Sequence, residues 1–210
     1  NRGNKFKELD IPLVMVTSNE ANNISADEFS SIAIDDRKAA YEATKYLLQL
    51  GHRKIAFVVS ELKNFGIMKL RLEGYKEALE EADIPYDEAL IENARSFSIK
   101  SGYQAFQALN QRCGGRFTAV FAIADTLAIG CLRAAREAGY RLPEDLSVMG
   151  FDGIEFGAYY SPSITTVRQP YEYMAEQAIL MMRGLLDDED NRHMVLNAEI
   201  VERESCAKRG

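Results

Sequence analysis

Short apolar runs alternate along the chain with longer segments in which apolar residues recur at helical spacing. The runs have the length of buried strands, and glycine closes some of the segments between them, as at Gly51 and Gly139. The pattern predicts strands at 12–16, 55–59, 91–97, 119–124, 146–151, 164–167 and 194–201, with helices at 36–50, 72–82 and 171–186 and after Ser98 and Asp125.

Successive strand–helix–strand units favour an α/β fold with a doubly wound parallel sheet, because each crossover helix returns the chain to the same strand direction. The short strand at 164–167 runs directly into a helix and breaks this rhythm. Such a break indicates a segment that crosses between two lobes. The length of 210 residues suits one to two lobes.

The charge balance argues against direct contact with nucleic acid or an anionic membrane. The net charge is −7, which repels phosphate groups overall. No apolar run approaches the roughly 18 residues of a membrane span. Cys113, Cys131 and Cys206 are odd in number and widely spaced, which favours free thiols in a reducing, cytoplasmic setting over disulfides or a zinc cluster.

Familiar catalytic and cofactor motifs are missing from the sequence. It contains no phosphate-binding loop, no dinucleotide fingerprint after a strand and no HExxH metal motif. His52 follows a helix end, where a capping cation is the expectation, and His193 falls in a polar loop. The sequence therefore does not support an enzyme, a cofactor or a metal site.

Four residues fall near the carboxyl ends of strands, where α/β proteins bind their ligands. Asp152 can accept two hydroxyl hydrogen bonds, and the alternative is a turn-forming aspartate. Arg71 can donate as a planar fork, and the alternative is an exposed helix arginine. Phe97 can stack on a sugar or a base, or else pack in the core. Asp125 lies near the same edge, and its alternative role is the N-cap of its helix.

Six short segments follow one another along nearly the whole chain: 46–57 (YLLQLGHRKIAF), 71–75 (RLEGY), 124–130 (ADTLAIG), 142–152 (LPEDLSVMGFD), 162–170 (PSITTVRQP) and 201–205 (VERES). Each segment alone is a weak signal, but all of them in this order are specific. Together they resemble the effector-binding core of the lactose/galactose-repressor family, LacI/GalR, of bacterial transcription regulators.

This resemblance implies two Rossmann-like lobes with parallel sheets, as in type I periplasmic binding proteins, joined by three crossovers. Residues 35–167 and 199–210 are expected to form the C-terminal lobe, and residues 1–34 and 168–198 part of the N-terminal lobe. The family's DNA-binding helix-turn-helix is expected to lie outside this chain.

The resemblance also implies roles for individual residues. Arg71 and Asp152 match the family's main effector contacts, and Phe97 matches an aromatic that stacks on the ligand. Ala124 stands where the family commonly has Asn, and its side chain offers no hydrogen bond to a hydroxyl. The remaining matches are Asp125, Thr17 and Ser18 at the pocket, and Ile129 and Tyr160 on the dimer face.

A homodimer that senses a small effector and binds DNA only through the helix-turn-helix is the implied function. The effector would be a sugar, a sugar phosphate or a nucleoside. Residues 150–156 with Gln169 and Pro170 are similar to the cytidine-repressor branch of the family, which does not by itself imply a nucleoside effector. The alternative is a periplasmic sugar-binding protein of a transporter. A helix-turn-helix encoded upstream would support the regulator, and a signal peptide would support the transporter component.

Overall fold

The computed structural model describes residues 11–18, 28–60 and 66–209, and the chain divides into two compact units. Unit 1 comprises Asn1–Asp35 with Gln169–Ala198, and unit 2 comprises Asp36–Arg168 with Glu199–Gly210. The chain therefore passes between the units three times. In the described part of the chain, no helix is both long and apolar enough to cross a bilayer.

Unit 2 is built on a six-stranded sheet, and its central strands are buried on both faces, as parallel strands covered by helices must be. The strand order is β4-β3-β5-β6-β7-β9, parallel except for the antiparallel edge pair β7–β9. The strands are β3 (Ile55–Ser60), β4 (Ile91–Ala94), β5 (Ala119–Ala122), β6 (Ser147–Asp152), β7 (Thr165–Arg168) and β9 (Glu199–Val201).

Helices connect these strands, and pairs of them approach closely where glycine removes a side chain. A Cβ on Gly102 would lie 2.2 Å from the Leu127 carbonyl oxygen, and one on Gly130 would lie 2.1 Å from that of Ile99. Only glycine lets the two backbones come this near. The helices of unit 2 are α1 (Asp36–Gln49), α2 (Gly66–Glu81), α3 (Ile99–Cys113), α4 (Asp125–Glu137) and α5 (Glu155–Tyr159).

The described residues of unit 1 form a three-stranded parallel sheet and one long helix, with the strand order β1-β2-β8. The central strand is buried along its whole length, which explains its apolar Ile-Ala-Ile sequence. The helix α6 contacts the first two strands. These elements are β1 (Val14–Val16), β2 (Ser30–Ile34), α6 (Tyr171–Leu186) and β8 (His193–Leu196).

The predicted α/β class with parallel sheets is confirmed, and helix 171–186 has the predicted bounds. Three expectations were wrong in detail. The single strand predicted at 194–201 is two strands, β8 and β9, which belong to different sheets. The strand predicted at 91–97 ends at Ala94. Strand β2 was not predicted at all, because a five-residue run with two serines carries little periodicity.

The order of strands in unit 2 places a topological switch point between β3 and β5. From β3 the chain moves outward to β4, then returns to the other side of β3 for β5 and continues through β6 to β7. Ligands of open α/β sheets bind beyond the carboxyl ends of the strands at such a point. The carboxyl edge of this sheet is therefore the place to look for a site.

Candidate functional site

Arg71 projects from α2 to the carboxyl edge of the sheet, at the switch point. Its Nε donates to Asp36 Oδ1 over 2.7 Å, and its Nη1 donates to the carbonyl oxygen of Ile123 over 2.8 Å. Ile123 directly follows β5, and Asp36 is the first residue of α1. The side chains of Arg71 and Asp36 are only 7% and 4% exposed, so water competes little with their ion pair.

The plane of this guanidinium is fixed as well as its position. Its central carbon lies 3.6 Å from the centroid of the Phe151 ring, which is fully buried in β6. A guanidinium that lies on an aromatic face holds its N–H groups in its own plane above the ring, where they point outward to acceptors. Among the described residues, acceptors are found for Nε and Nη1 only, so within this part of the chain the other N–H groups of Arg71 are open to a ligand.

Asp152 ends β6, next to the phenyl ring on which Arg71 stacks, and its backbone is strained. Its φ of 109° is followed by a φ of 78° at Gly153. A side-chain-bearing residue rarely adopts such a conformation, which costs about 1–3 kcal/mol and occurs mainly where function requires it. A Cβ on Gly153 would lie 2.8 Å from Arg168 Cα, so this turn also requires glycine.

Asp125 supports this turn from below. Its Oδ2 accepts hydrogen bonds from the backbone N–H groups of Gly153 and Ile154, each over 2.8 Å. Its Oδ1 accepts from the Thr166 hydroxyl over 2.6 Å. A Cβ on Gly150 would lie only 2.1 Å from that Oδ1, which explains the glycine in the middle of β6. Asp125 therefore ties β6, β7 and the start of α4 together.

Burial raises the pKa of Asp125 from 3.8 to about 6, and the nearby Asp152 charge acts in the same direction. The three hydrogen bonds it accepts oppose this change. Asp125 was expected as an N-cap or a ligand contact, but Ala124 occupies the N-cap position, and Asp125 is fully buried among protein groups. Its place in the site is that of a support for the Asp152 turn.

Two other groups border the same edge of the sheet. Ser60 ends β3 with a buried hydroxyl that has no hydrogen-bond partner among the described residues, and a buried unpaired hydroxyl is costly. Phe97 was expected to end a strand, but it lies three residues beyond β4 in the turn before α3, with 42% of its surface exposed. An exposed ring there can stack on a ligand, since it is not needed in the core.

The predicted residues of unit 1 lie at the carboxyl edge of its own sheet. Thr17 directly follows β1 with a φ of 68° and is exposed, and Ser18 is half-buried. The Thr17 backbone N–H donates to the Ile32 carbonyl over 2.8 Å, which continues the pairing of β1 with β2. These two residues thus occupy the same kind of strand-end position as Asp152 does in unit 2.

The two residues predicted for a dimer face, Ile129 and Tyr160, differ in the exposed fraction of their surface. Ile129 is only 3% exposed within unit 2, because it lies on the buried side of α4. Its side chain therefore packs in the core, and little of it is left for a partner. Tyr160 is half-buried, and its ring packs at 6.2 Å from that of Phe156, which is 58% exposed.

The histidines have structural positions that the sequence did not indicate. His52 is buried instead of acting as an exposed cap: its Nε2–H donates to the Ala207 carbonyl, and its Nδ1 accepts from Thr118. Burial lowers its pKa, which favours the neutral ring. His193 begins β8 and hydrogen-bonds Ser31, so it is not in a loop. Among the described residues, no cluster of His, Cys, Asp or Glu could hold a metal ion.

The sequence missed the supporting residues of the site, although some signals existed. Asp36 stands at the beginning of a predicted helix and was treated as part of that helix only. Thr166 lies in the β-branched run 164–167, where its hydroxyl was not considered. Both are polar residues that the fold buries completely or nearly so. A polar residue inside an otherwise apolar element was the available signal.

Three comparisons with known proteins agree with the α/β fold of this chain. A family model described as a periplasmic binding protein-like domain matches residues 44–206. The HTH-type transcriptional regulator MalR of Clostridium butyricum is 38% identical over 204 residues, which cover 96% of this chain and 59% of MalR.

Solved structures give the same picture. A LacI family transcriptional regulator from Enterococcus faecium, solved with bound ribose, has a TM-score of 0.87 and 28% identity, covering 99% of this chain and 75% of that one. The transcription regulator CcpA of Lactococcus lactis has a TM-score of 0.87 and 31% identity, covering 97% of this chain and 72% of that one.

These relatives are transcriptional regulators, so the comparisons do not favour the transporter alternative or an enzyme. The chain covers only 59% of the length of MalR. The ligands, partners and activity of the whole protein therefore are not established by this match alone. The part that matches is the α/β core with its two units.

Proposed function

This chain belongs to the LacI family of transcriptional regulators, whose core is a periplasmic-binding-protein-like domain, and from that membership we propose that it senses a small polar effector for a regulator of transcription. The effector binds at the carboxyl edge of the unit 2 sheet. Arg71 and Asp152 hold its hydroxyl or other polar groups, and Phe97 stacks on its apolar face.

The oriented guanidinium of Arg71 carries this proposal. An arginine with a structural role alone uses its N–H groups on protein acceptors, whereas Arg71 is fixed through Nε and Nη1 and keeps the rest of its fork available. Fixing the group before binding reduces the conformational entropy that binding costs. The carboxylate residue Asp152 directly follows Phe151, on whose ring the guanidinium lies, at the end of β6. We therefore propose that the effector meets a donor and an acceptor at this strand end.

The remaining residues complete the proposed site. Asp125 positions the Asp152 turn, and the unpaired hydroxyl of Ser60 gains a partner when a polar effector group arrives. The pocket roles of Thr17 and Ser18, which the family resemblance implies, stay predictions. A pentose, a hexose derivative or a nucleoside has the required hydroxyl groups, and a sugar phosphate would use its anion on Arg71.

The site is connected to all three passages of the chain between the units. Asp36, which binds Arg71, is the first residue of unit 2 after the first passage. Thr166, which binds Asp125, precedes the second passage at Arg168. Arg168 in turn forms an ion pair with Glu199, which is the first residue of unit 2 after the third passage. Effector binding can therefore bias the geometry of these segments.

Control of DNA binding follows from that bias in our proposal. The effector changes the affinity for operator DNA only if it binds two arrangements of the protein with different affinity, and such couplings are typically about 1–3 kcal/mol. The full regulator is proposed to act as a homodimer, with DNA read by a helix-turn-helix, because two half-sites need two protomers. Tyr160 and the exposed Phe156 are the remaining candidates for the dimer face on unit 2.

A ligand screen followed by two variants tests the proposal. Pentoses, hexoses, disaccharides, sugar phosphates and nucleosides are screened by thermal shift, since a ligand that binds the folded state raises Tm. Titration calorimetry then gives Kd for the best ligand with wild type and Asp152→Asn. Loss of one charge-assisted hydrogen bond is expected to weaken binding by about tenfold or more.

The matched control is Glu155→Gln, an exposed carboxylate three residues away that is changed in the same way. This variant is expected to bind with the wild-type Kd. Arg71→Lys is the second variant, because it keeps a cation for Asp36 but loses the planar fork. The proposal is wrong if Asp152→Asn and Arg71→Lys both bind the ligand as tightly as wild type.

A further inference from the structure

The sheet of unit 2 has a second cavity, at its amino edge and therefore opposite the proposed effector site. The cavity is bordered by Ile55 at the beginning of β3 and by Leu90 just before β4. The carboxyl edge begins at Ser60, about 16 Å away along β3 at the usual rise of a strand. The two sites share no lining residue.

The floor of this cavity is apolar and partly aromatic. Tyr75 and Leu79 of α2 form it together with Ile55 and Leu90, and all four are buried. The Tyr75 hydroxyl donates to the Ile55 carbonyl over 2.8 Å, and its ring is stacked on Phe57 with the centroids 4.8 Å apart, so Tyr75 leaves no unpaired polar atom at the floor. The volume of about 540 Å³ falls within the range of about 300–1,000 Å³ that is typical of small-molecule sites.

Three cations are among the residues that line the cavity: Arg53, Lys54 and Arg116. Arg116 donates its Nε to the Cys113 carbonyl, which leaves the end of its guanidinium for other acceptors. Arg53 and Lys54 are exposed, and the described residues offer neither of them an ion pair. Cations beside an apolar cavity can bind an anionic group whose apolar body fills the space.

Two acidic residues, Asp83 and Asp87, also line the cavity, and among the described residues neither forms an ion pair with Arg53, Lys54 or Arg116. Asp87 is engaged at the start of the following 3₁₀ turn, where its carboxylate accepts the Ala89 N–H over 2.9 Å. Asp83 lies across the opening in the loop after α2. The carbonyl oxygen of Leu79, near the end of α2, accepts hydrogen bonds from the N–H groups of Ala82 and Ile84 and therefore does not require a cation as its partner.

We propose that this cavity is a second small-molecule site, which binds an amphipathic organic anion with an aromatic or aliphatic body. The body packs over the buried floor against the half-buried Ala82 and Ile84, and the carboxylate, sulfonate or phosphate group pairs with Arg53 and Lys54. The proposal does not depend on the identity of the effector at the opposite edge.

A pair of fluorescent probes tests it on the 210-residue chain. One probe is 1-anilinonaphthalene-8-sulfonate, and the other is N-phenyl-1-naphthylamine, which has the same rings without the anionic group. Ala82→Trp fills the cavity from its half-buried wall and is expected to abolish the binding of both probes. Arg53→Ala/Lys54→Ala is expected to weaken binding of the sulfonate about tenfold and to leave the neutral probe within about twofold.

The matched control is Arg95→Ala/Lys100→Ala, which removes two exposed cations away from the cavity and is expected to leave both affinities unchanged. Far-ultraviolet circular dichroism and Tm establish that each variant is folded. Absence of sulfonate binding to wild type overturns the proposal, and so does binding that Ala82→Trp leaves intact. An equal loss in the two double variants overturns the assignment of the anion to Arg53 and Lys54.

Discussion

The two edges of the unit 2 sheet hold their cations in opposite ways. At the carboxyl edge Arg71 is nearly buried, paired with Asp36 and stacked on Phe151. At the amino edge Arg53 and Lys54 extend into solvent, and the described residues give them no fixed partner. The burial of the paired Arg71 costs folding stability and favours one ligand geometry. The exposed Arg53 and Lys54 cost little stability and tolerate many ligand geometries.

This difference teaches how a site can be recognised before its ligand is known. A guanidinium that is already oriented needs supporting groups, and the structure contains them in Asp36 and the Ile123 carbonyl. The Asp152 turn likewise depends on Asp125 and Thr166. The amino-edge cavity lacks such supports, so its contribution to binding comes from apolar area and unfixed charge. The predictions below separate the two cases.

The largest effect is expected from Asp36→Ala. It leaves the Arg71 guanidinium nearly buried without its counter-ion, which typically costs about 3–5 kcal/mol in the free energy of unfolding. The matched change at the other edge, Arg53→Ala, should stay within about 0.5 kcal/mol, as exposed substitutions usually do. Urea unfolding of both variants measures the difference. Similar losses in the two would show that the edges do not differ in this way.

Asp125→Ala is expected to follow, with a loss of about 2–4 kcal/mol, because two backbone N–H groups at the Asp152 turn lose their acceptor. Asp125→Asn is the matched control. Its amide oxygen can still accept from Gly153 and Ile154, so we expect it to lose only about 1 kcal/mol or less. If the alanine and asparagine variants unfold at the same urea concentration, Asp125 does not support the turn through these bonds.

The pH dependence of stability should also report on Asp125. Its folded pKa of about 6 lies above the unfolded value near 3.8, so the folded state binds the proton more tightly. This residue therefore stabilises the fold less as pH rises from about 4 to about 6, by roughly 1–3 kcal/mol. Asp125→Asn cannot titrate. Its unfolding free energy relative to wild type should rise across this interval, and a flat difference would contradict the assignment.

The smallest effect concerns the strained turn itself. Asp152→Gly relieves a φ of 109° and removes a charge near Asp125, and we expect a gain of about 1 kcal/mol in unfolding free energy. Effector binding should be lost in the same variant. Asp152→Asn keeps the strained backbone, so it should weaken binding by about tenfold or more without the full gain in unfolding free energy. A glycine variant less stable than wild type would mean that the aspartate conformation is not strained.

Much of the fold was predictable because its signals are local. Helix 171–186 carries regular apolar spacing, and β3 is an uninterrupted apolar run, so both were recognised. Arg71 and Asp152 were predicted because the sequence pattern placed them near a helix start and at a strand end and because they match a family pattern. Helix α2 begins earlier, at Gly66, so Arg71 lies inside it. The roles of both residues remain predictions. The split of 194–201 into β8 and β9 was missed because a continuous β-prone run does not show where the chain changes sheets.

The alternation of strands and helices, and the residues available at their ends, can be read from the amino-acid pattern. Which of those residues meet depends on the folded chain: Asp36 pairs with Arg71, Asp125 holds the Asp152 turn, and Arg53, Lys54 and Arg116 line one cavity. The two kinds of information differ in range along the chain. Apolar periodicity acts between neighbours in the chain, whereas these partners are separated by tens of residues, and only the strand order of the sheet brings them together.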